Sequence, residues 1–127
     1  MKIAVTIARI LLGAIFVLFG SNGFLHFIPI GPMPSGLAGQ FLAVFVQSHW
    51  VLVVSAVQLV GGVLLLVNRY VPLALTILGP VVVNIICYHT LITSAGWLLA
   101  AVATLLWFVV FYWNRQYFSG IFVQKSS

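Results

Sequence analysis

The sequence predicts an all-α membrane protein, with four transmembrane helices in an up-down bundle and a short interfacial or re-entrant helix between helices 1 and 2. The chain of 127 residues is 64% hydrophobic and only 4% charged, whereas a soluble domain has about 25% charged residues. Four apolar runs are long enough to cross a hydrocarbon core of about 30 Å. Short connections between most of them favour one integral-membrane domain over residues 1–127.

Helix 1 is predicted over residues 3–28, and the stretch IGPMPSG at 30–36 ends it because its Gly and Pro residues do not continue a helix. A cleaved signal peptide is the competing interpretation. Arg9 interrupts the apolar run and no A-x-A-like cleavage site follows it, so a membrane span is favoured.

The remaining elements follow in order. The short apolar segment 37–47 cannot span a bilayer, so we expect it to lie in the interface or to re-enter the bundle. Helices 2, 3 and 4 are predicted at about 50–67, 70–92 and 96–114, and the tight NRY turn separates the second from the third.

The basic residues predict the orientation. Lys and Arg occur at the amino terminus, in the NRY turn and in the carboxyl tail, whereas the loops at about 29–49 and 93–96 contain none. The positive-inside rule then places both termini in the cytoplasm. Nucleic acid is excluded as a partner because the cations are far apart and no basic cluster interleaves with aromatic residues.

The composition also excludes several kinds of chemistry. There is no Asp or Glu in the chain, so it cannot supply a carboxylate acid/base pair, a carboxylate proton relay or a Ser-His-Asp triad. The single cysteine, Cys87, cannot form a disulfide within one subunit. No catalytic residue is assigned, and whether the protein is an enzyme stays open.

Five polar side chains fall in the outer halves or the middle of the spans. Counted at about 1.5 Å per residue, Asn22 and Asn84 lie about 10 Å beyond the midplane toward the outer face. His26 and His89 lie about one turn farther out, and Gln58 lies near the midplane. Unbonded in lipid, each would cost several kcal/mol, so we expect them to face inward as a polar column that opens outward.

Helix 3 needs a distortion for this arrangement. Asn84 and His89 are five residues apart, about 140° around an ideal helix, so both can face inward only if the helix is distorted or surrounded. Pro80 removes one backbone hydrogen bond and can introduce such a distortion.

The column has two functional interpretations and one structural one. Two histidines at one level can ligate haem iron or a metal, or they can exchange hydrogen bonds and protons with a quinone carbonyl. No further motif supports haem, so no metal ligand is assigned. In the structural interpretation the amides and imidazoles only tie helices together, at about 0.6–2 kcal/mol per bond.

Arg9 lies about two turns into helix 1, and the chain has no acidic side chain to pair with it. We expect its guanidinium to reach the phosphates of the cytoplasmic leaflet or an acidic residue of another subunit. Arg69, in the NRY turn, is the second predicted lipid or partner contact.

Three segments resemble the DoxX family of small four-helix bacterial membrane proteins, namely ARILLGAIFVLFGSNGFLHF, AVQLVGGVLLLVNRYVPLAL and LGPVVVNIICYHTLI. The resemblance covers about two thirds of the chain. The family's motif positions correspond here to Asn22, His26, Gln58, Arg69, Pro72, Pro80, Asn84 and His89.

The resemblance implies an integral protein of the bacterial inner membrane. It also favours a function in a quinone-linked redox system, because the family is named after a subunit of thiosulfate:quinone oxidoreductase. Two departures weaken a proton-coupled role. Many relatives carry Glu where this chain has Gln58, and Asp-Pro after the helix 3 histidine where this chain reads LITSAG.

Three functions are therefore considered. The first is a membrane subunit of a redox system that binds a quinone or similar amphiphile in the outer half of the bundle, with electron transfer left to a partner protein. The second is a non-catalytic assembly or scaffold protein that contacts its partner, or a second copy of itself, through Arg9 and small-residue faces. The third is a carrier for a small solute, which has the least support because the chain has no internal repeat.

Overall fold

The structure, a computed structural model, describes residues 2–25, 35–93 and 96–124. All regular secondary structure in these ranges is helical, which confirms the predicted all-α class. The α-helices are α1 (Lys2–Leu25), α2 (Gly36–Gln47), α3 (Trp50–Val67), α4 (Val71–Cys87) and α5 (Trp97–Trp113). A π-helical turn (Tyr88–Ile92) continues α4, and a 3₁₀ helix (Arg115–Phe122) follows α5.

Three segments are long and apolar enough to cross a membrane: α1, α3, and α4 together with the π-helical turn. A fourth is obtained if α5 and the 3₁₀ helix form one span that bends by 82°. The 12 residues of α2 form a shorter apolar helix. Length and composition therefore indicate a multi-pass membrane protein.

The long helices pack in a ring in which α1 contacts α3 and α5, and α4 contacts the same two helices. The contact between α1 and α3 is the most extensive, because glycines let the two backbones approach closely. A Cβ atom built on Gly13 would lie 2.9 Å from the carbonyl oxygen of Gly62, and one built on Gly62 would lie 2.9 Å from that of Gly13. Small residues at helix contacts are typical of membrane proteins.

The two ends of the bundle differ. At one end, called here the amino-terminal end, Lys2, Asn68 and Asn114 line a common cleft. At the opposite end α2 packs through aromatic rings, with the Phe41 ring centroid 5.4 Å from that of Tyr88. The principal hydrophobic cluster joins all four long helices and the 3₁₀ helix, and consists of Ala8, Leu12, Phe16, Leu65, Val71, Ala74, Leu75, Leu78, Val82, Ala103, Val110 and Phe118.

The turn from α3 to α4 uses two left-handed residues. Asn68 (φ 56°) and Tyr70 (φ 54°) have positive φ, a conformation that Asn tolerates and that a bulky aromatic residue rarely adopts. The Arg69 backbone N–H donates to the carbonyl of Leu64 at 3.1 Å, as in a Schellman motif. This turn ends α3 at Val67 and lets α4 begin at Val71, with Pro72 in its first turn.

Candidate functional site

Of the five residues of the predicted polar column, the structure describes four: Asn22, Gln58, Asn84 and His89. Asn22 is half-buried near the end of α1 and takes part in an interaction, so it is not without a partner. His26 lies outside the described residues. Among the described residues, no hydrogen bond joins Gln58, Asn84 and His89 to one another.

Asn84 does not face the interior. It is exposed, and its side-chain amide donates to the carbonyl of Pro80 at 2.8 Å. Asn84 is exposed because of its position around α4, which is about 200° from that of the buried Val82. Regular α-helix continues past Pro80 to Cys87, so the distortion expected near the proline occurs instead in the π-helical turn.

His89 continues the inner stripe of α4, whose spacing of three and four residues keeps one face toward the bundle. The stripe consists of Val71, Leu75, Leu78, Val82, Ile85 and His89, and exposure increases along it from the buried residues to the half-buried Ile85 and His89. His89 therefore lies where the interior opens at the end opposite to the amino terminus.

Gln58 is half-buried on the inner face of α3. Around an ideal helix it is about 40° from Gly62 and about 20° from the fully buried Leu65. Within the described ranges its side-chain amide has no hydrogen bond. Gln58 thus offers an unpaired donor and acceptor near the midpoint of α3.

His89 has a defined orientation. Its Nδ1 lies 2.8 Å from the carbonyl oxygen of Ile85. Because a carbonyl only accepts, Nδ1 carries the proton of the neutral imidazole and Nε2 keeps its lone pair. A Cβ atom built on Gly96 would lie 3.4 Å from Nε2, so the ring edge points toward the start of α5.

This edge borders a groove between the end of α4 and α5, called here the His89 groove, with a volume of about 460 Å³. Its lining residues are Ile86, His89, Thr90, Trp97, Ala100, Ala101, Thr104, Leu105 and Phe108. The Thr90 and Thr104 hydroxyls donate at 2.8 Å to the carbonyls of Ile86 and Ala100. In the described part of the chain, the Trp97 indole N–H makes no hydrogen bond.

The His89 groove therefore combines a ring nitrogen that can accept, an indole N–H that can donate, and largely apolar walls. The sequence predicted that His89 lies in a column with side chains of helices 1 and 2, which are α1 and α3 of the structure. The groove instead lies between α4 and α5. One sequence feature could have indicated this groove, namely the row of small residues at Gly96, Ala100 and Thr104. Small side chains at these positions leave space beside His89.

Arg9 has a partner that neither sequence expectation included. Its Nη1 donates to the carbonyl of Leu65, and the carbonyl of Leu66 is 3.4 Å away. These carbonyls lie in the last turn of α3, where the helix dipole favours a positive charge. Arg69, by contrast, is exposed, and its side chain makes no hydrogen bond within the described ranges.

Among the described residues, no group of three or more His, Cys, Asp or Glu side chains comes together. No family model, no curated protein and no solved structure matches the chain.

Proposed function

We propose that this protein is a DoxX-like integral membrane subunit of a quinone-linked redox system, and that it binds a quinone or similar amphiphile in the His89 groove. In this proposal the chain is a four-span up-down bundle of the bacterial inner membrane, and a partner protein carries out electron transfer. A bound quinone would supply the two-electron chemistry, and this chain's residues would hold its head group.

The observation that carries the proposal is the lone pair of His89 Nε2 at the edge of a largely apolar groove. A quinol hydroxyl can donate to Nε2, and the unpaired Trp97 indole N–H can donate to a quinone carbonyl. Trp97 and Phe108 line the groove, and aromatic side chains suit contact with a flat ring. The volume of about 460 Å³ lies within the range of small-molecule sites.

The charge distribution supports an outward-facing groove. Lys2, Arg69 and Arg115 all lie near the amino-terminal end, whereas the His89 groove is at the other end. The positive-inside rule then puts the termini in the cytoplasm and the groove near the periplasmic surface. We further propose that α2 lies in that outer interface, beside Tyr88.

The assembly and carrier alternatives have less support. The assembly hypothesis used Arg9 and small-residue faces as contact surfaces, but Arg9 lines a cleft and donates to carbonyls of its own chain, and Gly13 and Gly62 are occupied by the contact between α1 and α3. A redox partner protein or a second copy of this chain remains part of the proposal, with no residue assigned to the contact.

The experiment is a titration of the purified full-length protein with a short-chain quinone and its quinol, followed by quenching of tryptophan fluorescence. The test variant is His89→Asn. At Asn84 and Asn114 of this chain the amide donates to the carbonyl four residues earlier at 2.8 Å, so an asparagine in place of His89 can keep the bond to Ile85 while Nε2 is lost. We expect quinol affinity to fall roughly fivefold, the value of one hydrogen bond of about 1 kcal/mol.

The matched control is His49→Asn. His49 is exposed, lies outside the groove and has a φ of 64° that Asn also tolerates. This variant is expected to bind quinol like the unmodified protein. Equal quinol affinity in the His89 and His49 variants would contradict the assignment of the groove.

A further inference from the structure

A second cavity lies at the amino-terminal end, on the opposite side of the bundle from the His89 groove. This amino-terminal cleft has a volume of about 410 Å³. Its polar lining residues are Lys2, Arg9, Asn68, Tyr70, Asn114 and Tyr117. Aliphatic residues and Trp113 form the rest of the wall.

The cleft carries positive charge that no acidic side chain of this sequence neutralises. Lys2 and Arg9 both line it, and the sequence contains no Asp or Glu. Arg9 uses Nη1 for the α3 carbonyls, which fixes the guanidinium in place. Its remaining N–H groups, and the Lys2 ammonium, have no hydrogen-bond partner in the residues that the structure describes.

Neutral donors add to the two cations. The Asn68 amide and the hydroxyls of Tyr70 and Tyr117 make no hydrogen bond within the described ranges. Only the Asn114 amide is engaged, since it donates to the carbonyl of Val110 at 2.8 Å. A small anion with several oxygen acceptors fits this set of donors, and a phosphate group meets that description.

We propose that the amino-terminal cleft is a binding site for the phosphate group of an anionic phospholipid. Tyr70, Trp113 and Tyr117 surround the cleft, and such aromatic residues mark the level of lipid head groups. The accessible apolar lining, which includes Pro72 and Trp113, suits the first acyl carbons. The site is independent of quinone binding because it uses other residues at the other end of the bundle.

The test uses the full-length protein in a non-ionic detergent, titrated with phosphatidylglycerol or phosphatidylcholine that carry brominated acyl chains, which quench tryptophan fluorescence. The titration is done in about 0.3 M salt, where a Debye length of roughly 5 Å screens general surface attraction. We expect saturable binding of phosphatidylglycerol and binding of phosphatidylcholine that is weaker by about tenfold or more. An excess of inorganic phosphate should leave the phosphatidylglycerol bound.

Three variants locate the site. Arg9→Gln is expected to weaken phosphatidylglycerol binding about tenfold, because a charged hydrogen bond is lost. Lys2→Gln should weaken it about fivefold. The side chain of Lys2 makes no bond to the described residues, so this variant keeps the test valid if Arg9→Gln does not fold. Arg115→Gln removes an exposed cation near the same end but outside the cleft, and should change affinity less than about twofold.

Three outcomes would overturn the proposal: equal affinity for the two lipids, displacement of phosphatidylglycerol by inorganic phosphate, or a loss in Arg115→Gln as large as that in Lys2→Gln. The second would indicate a site for soluble phosphate. The third would indicate only general attraction between the basic end and an anionic surface.

Discussion

The close contact between α1 and α3 predicts that Gly62→Ala destabilises the protein. A Cβ atom at Gly62 would lie 2.8 Å from the backbone nitrogen of Val17 and 2.9 Å from the carbonyl oxygen of Gly13. The second distance is 0.5 Å shorter than the 3.4 Å at which ordinary contact begins. Both neighbours are backbone atoms, so no side chain can rotate away and the two helices must separate.

The expected magnitude follows from two opposing effects. Overpacking in a rigid contact costs about 1–3 kcal/mol, and this site belongs in the upper part of that range because two backbone atoms are involved. Replacing a helical Gly by Ala returns about 1 kcal/mol of helix propensity. The free energy of unfolding should therefore fall by about 1–2 kcal/mol.

The assay is unfolding of the purified protein by titration with a denaturing detergent, followed by tryptophan fluorescence. Gly120→Ala is the control, because nothing lies within 4 Å of a Cβ atom at that position. Its effect should be below about 0.5 kcal/mol. If Gly62→Ala is as stable as Gly120→Ala, the two helix backbones are not in the contact described here.

Three further predictions can be measured with the same unfolding assay. Trp107→Phe should lower the free energy of unfolding by about 0.5–1.5 kcal/mol, because the indole N–H donates to the carbonyl of Leu75 at 3.2 Å and a phenyl ring has no donor. An unchanged value would mean that this hydrogen bond does not contribute to stability. Tyr70→Gly should raise the free energy of unfolding by about 1 kcal/mol, because Tyr70 has a φ of 54° and its side chain is 73% exposed. A loss of stability would show that the contacts of the ring contribute more than the strain costs. Gly96→Ala should lower it by about 1 kcal/mol, because Gly96 has a φ of 77° where L side chains are strained, and a neutral result would argue against that backbone conformation.

The helical class was predictable because it depends on composition and on the length of apolar runs. The π-helical turn was not, since nothing in the sequence YHTLI distinguishes it from ordinary helix. The bend after α5 was also missed. Asn114 ends the helix, and the following 3₁₀ helix turns by 82° so that the buried Phe118 packs against Phe111, with ring centroids 4.8 Å apart.

The candidate site was predictable only in part, because the five-residue spacing put Asn84 and His89 about 140° apart on one helix without indicating which of the two faces inward. Spacing along α4 separates Asn84 from His89: the stripe through Val82 and Ile85 includes His89 and leaves Asn84 on the outside. The exposed Asn84 then satisfies its amide on its own helix, through the carbonyl of Pro80. A polar residue in a membrane helix can thus be bonded locally, which the rule that polar groups face inward does not consider.

The absence of acidic side chains determines the charge at both ends of the molecule. Cations in this chain must be stabilised without carboxylates, and the structure gives two examples. Arg9 donates to the last carbonyls of α3, and Arg115 donates to the carbonyl of Tyr112 at 2.6 Å while its guanidinium carbon lies 4.0 Å above the centre of the Tyr112 ring. Carbonyls and rings carry only partial charges, so each of these cations keeps a net positive charge that attracts an anion. Opposite them, the His89 groove contains no formal charge and suits a neutral ligand. A basic end that holds phosphate would fix the orientation of the bundle, and the uncharged end would remain open to an amphiphile from the bilayer.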